Sequence, residues 1–429
     1  MIELDKYGLP NKFQELRPQQ IAILDKFTSI EGSLLVEAPP GTGKTIVAAL
    51  LPKLLGVKVA YITPNKSLQY QICEEIPYAR MIMGRANYDC LYYPGNSALA
   101  CTNSKATPCP MVTSCPYIIA REEATNSDLA VLNSTYYLYA SNYTGQFQRD
   151  LLIVDEADQF ERVIVDFVKV ELSGSNIRRL LDGGYNVPEA DYSVEEWVEW
   201  AQETIDATVE LAAQAKQLKR LEEAEQWGRL TAKLKYMVVN VDDTWFTEVN
   251  DTTGSIAFRP VVVRKYASNL VWDNHKRALA MSATILDPEI VAGDLDLDAE
   301  YMVVSTDFPI ENRPIYNMSK YLGSLNVNNI SEKLPTIKVL VERIAEAYPE
   351  SKVLVHCHSY SLTKMLFEAI GGGDRFIMNS SAKDRQEVFE RFLISEEPLV
   401  LLSPSCAALC SVLSSFLLPT IVVPPQLLS

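Results

Sequence analysis

Residues 33–55 read SLLVEAPPGTGKTIVAALLPKLL. Ser33 to Glu37 is a short apolar run that feeds straight into a glycine loop, Ala38 to Thr45 (APPGTGKT). The residues after Lys44 take up helical spacing. Strand, loop, helix is the context in which such a loop closes around phosphate. Across Pro40, Gly41, Thr42 and Gly43 the glycines let backbone N–H groups turn inward, at the positive end of the helix that follows. Lys44 is placed to reach the β- and γ-phosphates of a nucleotide, and the Thr45 hydroxyl to coordinate Mg²⁺. The stretch therefore predicts an ATP site in an α/β fold.

Working outward, further short apolar runs follow at Val57 to Thr63, Leu129 to Leu132 and Leu151 to Val154, each separated by helical stretches. Such alternation implies a parallel sheet covered on both faces. The last run opens onto Asp155-Glu156-Ala157-Asp158 (DEAD). Asp155 then stands at the carboxyl edge of the sheet, where ligands of α/β folds bind, and is expected to hold Mg²⁺ directly or through water. Glu156 is the candidate base for an attacking water. A plain helix cap is the other reading of this acidic box. Upstream, Arg17-Pro18-Gln19-Gln20 either begins a helix or offers Gln20 to an adenine edge.

The 429 residues allow two or three domains, and 48% hydrophobic with 22% charged residues is ordinary for a globular protein. The net charge of −16 argues weakly against a nucleic-acid partner. Much of that charge is local, because Glu189 to Asp251 carries 15 acidic and 6 basic residues. Within this segment Trp197, Ala201, Ile205, Thr208, Leu211, Ala215 and Leu218 recur at three- and four-residue steps and predict a long amphipathic helix. The N-terminus shows no signal-peptide pattern, so a cytoplasmic protein with reduced thiols is expected, in a prokaryotic cell or a phage-infected host.

Cys90, Cys101, Cys109 and Cys115 cluster between the glycine loop and the acidic box, with ten, seven and five residues intervening. No Cys-x-x-Cys knuckle occurs, whereas most structural zinc sites are built on such knuckles. Irregular spacing in a proline-rich loop suits a [4Fe–4S] cluster; zinc, or buried thiols without metal, are the alternatives. Arg80, Arg85, Lys105 and Arg121, with Tyr88, Tyr92, Tyr93 and Tyr117, offer phosphate contacts and stacking faces, or else form an ordinary exposed loop.

From about Arg17 to Ser405 the chain resembles the XPD/DinG-like iron–sulfur helicases of superfamily 2. The resemblance rests on RPQQ, the glycine loop, TPNKSLQYQ (Thr63 to Gln71), GRANYDC opening the four-cysteine insert, DEAD, MSATI (Met281 to Ile285) and KVLVHCHSYS (Lys352 to Ser361), in that order. It implies 5′-to-3′ translocation on single-stranded or forked DNA by a monomer with no membrane association, powered by Mg-ATP hydrolysis, in a DNA-repair or replication setting. It further implies that Thr63, Ser282 and Thr284 couple DNA to nucleotide and that the His356 to Ser359 segment touches the strand. The acidic box departs slightly, since XPD-like members usually read DEAH.

The architecture so implied is α/β. A first RecA-like domain spans 1–79, 122–160 and 270–287, with a cysteine insert at 80–121 and a helical arch-type insert at 161–269. An incomplete second RecA-like domain follows at 288–403, then an uncharged tail at 404–429. Pro398 to Ser429 contains no charged residue, where about seven are expected at this composition. A membrane helix fits poorly, because Pro404, Pro419, Pro424 and Pro425 interrupt any 20-residue apolar span. A reading-frame slip or truncation in the source gene fits the abrupt change better. The family's E-G-x-D-L and Q-x-x-G-R-x-x-R strings do not occur, and CAALCSVLSSFLLP follows Ser405 instead. The arginines of that second string reach the γ-phosphate in the family, so weak turnover, or nucleotide and DNA binding without hydrolysis, is a second expectation.

Overall fold

The computed structural model describes residues 4–10, 13, 15–64, 66–101, 108–188, 192–306, 323, 325, 329–381, 383–404 and 420–422. The chain divides into two compact units: Met1–Ala38 with Lys44–Val304, and Ser305–Ser429, with which Pro39–Gly43 groups.

In the first unit α1 (Pro18–Ser29) precedes β1 (Ser33–Glu37), and the glycine loop leads to α2 (Lys44–Leu55), β2 (Val59–Thr63), α3 (Lys66–Glu75) and β3 (Ala79–Ile82). After the cysteine segment come α4 (Pro116–Asn126), β4 (Leu129–Asn133), α5 (Ser134–Thr144), β5 (Leu151–Asp155) and α6 (Phe160–Val168). An inserted stretch then holds β6 (Val170–Leu172), α7 (Gly174–Asp182), α8 (Val194–Gln217), α9 (Leu221–Asn240), β7 (Trp245–Asn250), β8 (Ser255–Pro260) and α10 (Arg264–Leu270). The chain returns through β9 (Arg277–Ser282), α11 (Pro288–Asp294) and β10 (Ala299–Val303).

Seven of these strands form one parallel sheet in the order β10-β1-β9-β5-β2-β4-β3. Strands β2 and β5 are buried along their whole length, which is why they read as unbroken apolar runs. Alternate residues go to opposite faces. Leu34, Val36, Val59, Tyr61, Ile153 and Leu279 join one core with Ile23 and Phe27 of α1. Leu35, Ala60, Ile62, Leu152 and Val154 join another with Tyr137 and Phe160. Because all seven strands point the same way, Glu37, Thr63, Asn133, Asp155 and Ser282 finish at one edge.

The opposite edge is tied by Arg149, whose buried guanidinium donates to the carbonyls of Val59, Ser127, Asp128, Ala124 and Thr125. Burial lowers its pKa to about 10. His275 is bracketed nearby, with Nδ1 against the Arg149 carbonyl and Nε2 against the Tyr137 hydroxyl.

The insert is less purely helical than the sequence suggests. Helices α8 and α9 pack with Trp197, Trp227, Leu230 and Leu234 buried between them and the neighbouring elements. Ser193 starts α8 with a reciprocal cap, its hydroxyl accepting from Glu196 N and its N–H donating to the Glu196 carboxylate. Leu218 lies past the end of α8 and is 63% exposed, so the apolar stripe stops at Ala215. An antiparallel sheet, β6-β8-β7, also belongs to this stretch. Strand β6 is short and β7 is largely exposed, so neither leaves an apolar run in the sequence.

The second unit holds α12 (Ile330–Ala347), β11 (Val353–His356), α13 (Tyr360–Ile370), β12 (Phe376–Met378), α14 (Arg385–Ile394), β13 (Val400–Ser403) and β14 (Thr420–Val422). Its sheet runs β12-β13-β11-β14, again all parallel. Most of the uncharged tail lies outside the described residues, and Thr420–Val422 pairs with β11.

Candidate nucleotide site

The glycine loop has the backbone its sequence demands. Gly41 and Gly43 adopt φ of +83° and +81°, in the left-handed region where a side chain is strained. Thr42 turns back on the loop, its N–H and hydroxyl both directed to the Pro39 carbonyl at 3.3 and 2.9 Å. Helix α2 begins at Lys44 with no acidic residue in its first turn, which leaves its positive end to a phosphate.

Lys44 faces the acidic box. Its ammonium lies 3.9 Å from an oxygen of Asp155 and 3.9 Å from an oxygen of Glu156. Asp155 ends β5 and is 5% exposed, and its Oδ1 has no hydrogen-bond partner among the described residues. A buried carboxylate oxygen left without a donor is costly unless something else occupies it. Burial raises the Asp155 pKa, and the Lys44 charge opposes that rise. The Glu156 pKa is raised by burial too, with Lys44 opposing and the charges of Asp155 and Asp158 adding to it. Glu156 also adopts φ of +54°, an uncommon conformation for a non-glycine residue and one that clusters at functional positions.

Asp158 is held from β9. Ser282 donates its hydroxyl to Asp158 Oδ1 at 2.6 Å, and the Thr284 hydroxyl approaches Oδ2 at 3.4 Å. The Ser282 carbonyl accepts the Ala38 N–H at 2.8 Å, at the foot of the glycine loop. Thr63 is fully buried at the end of β2, where its hydroxyl favours the charged form of Asp155 but makes no close hydrogen bond among the described residues. Tyr61, two positions earlier, is buried beside Asp155, and both effects raise its pKa far above the ordinary range. Tyr61 sits inside an apolar run and carries no sequence signal of this position.

Magnesium suits this arrangement. A Mg²⁺ bound with a nucleotide needs only one or two protein carboxylates, with phosphates and waters completing its shell. Asp155 Oδ1, which accepts no hydrogen bond among the described residues, supplies such a ligand.

Gln20 is buried, and its Oε1 accepts the Arg17 N–H at 2.9 Å, so it caps the start of α1. His356 ends β11 half-buried, with burial and His358 lowering its pKa. The Ser359 hydroxyl caps α13 through Leu362 N. Arg80 is committed to the carbonyls of Pro77 and Ala79, whereas Arg85 and Arg121 both lie over the Tyr117 ring. Lys105 lies outside the described residues.

Cys90 is buried, with the Tyr93 N–H directed at its sulfur, and Cys115 immediately precedes α4. Among the described residues no three His, Cys, Asp or Glu side chains gather as a group able to hold a metal ion. No described helix is long and apolar enough to cross a membrane.

Residues 17–170 match the DEAD/DEAH box helicase family. No curated protein sequence matches the chain. Among solved structures, an XPD helicase is similar over 91% of this chain and 80% of its own, at 16% identity and a TM-score of 0.53. S. tokodaii Xpd4 is similar over 90% of this chain and 80% of its own, at 16% identity and a TM-score of 0.51. An apo XPD structure matches over 90% and 78%, at 13% identity and 0.50. The tetrapeptide at Asp155 to Asp158 spells DEAD, but the fold likeness is to XPD helicases, and the letters alone do not assign the DEAD-box subfamily. Residues 17–170 are thus similar to the DEAD/DEAH box helicases, and the chain has the fold of the XPD helicases.

Proposed function

We propose that the chain is an ATP-dependent DNA helicase that moves 5′ to 3′ along single-stranded DNA. The observation that carries this reading is Lys44, poised 3.9 Å from both Asp155 and Glu156, facing an Asp155 oxygen that accepts no hydrogen bond among the described residues. The Gly41 to Gly43 backbone and Lys44 bind and orient the ATP phosphates. Thr45 and Asp155 hold Mg²⁺, which when bound neutralises charge on the terminal phosphates. Glu156 orients the attacking water and takes its proton, a task for which a raised carboxylate pKa is suited. Arg17 and Gln20 flank the adenine, and Thr63, Ser282 and Thr284 connect the nucleotide to the strand. His356 and Ser359 are further DNA contacts. On this reading residues 80–121 and 161–269 are the cysteine and arch-like inserts of the motor.

Cys90, Cys101, Cys109 and Cys115 are proposed as [4Fe–4S] ligands on their order and their irregular spacing. No step above passes through that group. Anaerobically purified protein should contain iron and labile sulfide, and Cys109→Ser should lose both; stoichiometric zinc instead would replace this assignment.

A second reading is a motor that binds ATP and nucleic acid without efficient hydrolysis. ATP turnover with and without single-stranded DNA separates the two. Stimulated turnover supports the enzyme. Bound ATP with no stimulation supports the second reading.

A further inference from the structure

Helix α3 and the residue that follows it pack on the sheet through Gln69, Ile72 and Ile76, with Cys73 half-buried beside them. That spacing is a single helix face. Ile72 and Ile76 join the core that contains Val59, Tyr61 and Leu129. Gln69 occupies the same stripe one turn closer to the carboxyl edge of the sheet, where an apolar residue is the default. It is 0% exposed, and neither its Oε1 nor its Nε2 has a hydrogen-bond partner among the described residues. An orphaned buried polar group is destabilising, so this amide weakens the fold in the state described.

Two further orphans lie at the same edge. The Thr63 hydroxyl ends β2, and the Ser134 hydroxyl follows β4 directly. Thr63 and Asn133 are register partners, so these hydroxyls belong to adjacent strand ends. On its other side β2 pairs with β5, Ile62 opposite Val154, which puts Thr63 next to Asp155. The outer face of α3 is open to solvent. Tyr70 is 47% exposed there, and Lys66 presents its ammonium to the Asn87 side chain at 2.8 Å.

We infer that Gln69 is a positioning residue that couples strand binding on α3 to the nucleotide site. When single-stranded DNA engages the outer face of α3, the helix moves against the sheet edge. The Gln69 amide then takes up the Thr63 and Ser134 hydroxyls, and Thr63 fixes Asp155. The orphaned amide is the cost of the unengaged state. This inference rests on the helicase reading above.

The test uses the full chain with Gln69→Met, a close isostere without the amide, and with Ser134→Ala. Thermal unfolding, oligothymidylate binding, and ATP turnover with and without oligothymidylate are measured for each. Both variants should unfold no earlier than wild type, since a desolvated polar group has been removed. The Kd for oligothymidylate and the KM for ATP should stay within about twofold, while the DNA-stimulated kcat falls about tenfold or more. Retained stimulation in both variants would overturn the inference. Should Gln69→Met fail to fold, Ser134→Ala decides by the same readout. Wild-type protein that binds the oligonucleotide without stimulation overturns this coupling alone, whereas wild-type protein that does not bind it overturns the helicase reading as well.

Discussion

The Ser282 hydroxyl donates to Asp158 Oδ1 at 2.6 Å across 124 residues of chain. The same residue accepts the Ala38 N–H through its carbonyl. One fully buried serine therefore touches the foot of the glycine loop with its backbone and the acidic box with its side chain. The sheet order makes this possible, because β9 lies between β1 and β5. The long insert between α6 and β9 leaves this junction intact, so a structural signal at the acidic box has a direct route to the start of α2.

Ser282→Ala should cost about 1.5–3 kcal/mol of stability, the usual range for a hydrogen bond to a charged group. Urea unfolding with an unchanged slope checks this. A midpoint equal to wild type would mean that Thr284 alone holds Asp158.

Lys44→Ala removes the cation that lies 3.9 Å from both Asp155 and Glu156. ATP hydrolysis should fall by at least about 10²-fold, the loss typical when one group stabilising developing charge is deleted. Turnover retained in this variant would place the nucleotide site elsewhere in the chain.

Asp155→Asn should separate stability from activity. The carboxyl pKa is raised in the folded state, chiefly by burial, so the folded protein binds that proton more tightly than the unfolded chain. Its contribution to stability is therefore greatest at low pH and is lost as pH rises through the folded pKa. A neutral amide of the same shape removes that loss, so at neutral pH and without nucleotide the variant should melt later than wild type. It should also lose Mg²⁺-dependent turnover. An earlier melt would mean that the Lys44 contact outweighs the desolvation of Asp155.

The sequence already contained the glycine loop, the acidic box and the parallel strands that carry them, because central strands buried on both faces leave continuous apolar runs. The edge strands were not legible. Ala79–Ile82 includes Arg80, and Ala299–Val303 is mostly exposed, so neither leaves such a run. The same holds for the insert sheet, where β6 pairs with β8 across a long stretch of chain. Asp158 was legible as part of a motif, but not its donors, since Ser282 reaches it only through the sheet order. Gln69 gave no warning at all, because a glutamine in an amphipathic helix reads as a surface residue until the packing face is known.

Acid sensitivity should trace to His275. Burial depresses its pKa from 6.5 to about 4, where the imidazole is wedged between the Arg149 carbonyl and the Tyr137 hydroxyl. Between those two values the unfolded chain binds a proton that the folded chain refuses. The stability contributed by neutral His275 is complete above the unfolded value and is lost as pH falls from about 6.5 towards 4. His275→Gln keeps a donor and an acceptor at this position and cannot charge. The variant should start from a somewhat lower melting temperature at neutral pH, because its amide will not match both partners as well. Its melting temperature should then fall less steeply than that of wild type over the same pH interval. Parallel slopes for the two proteins would assign the acid loss to other groups.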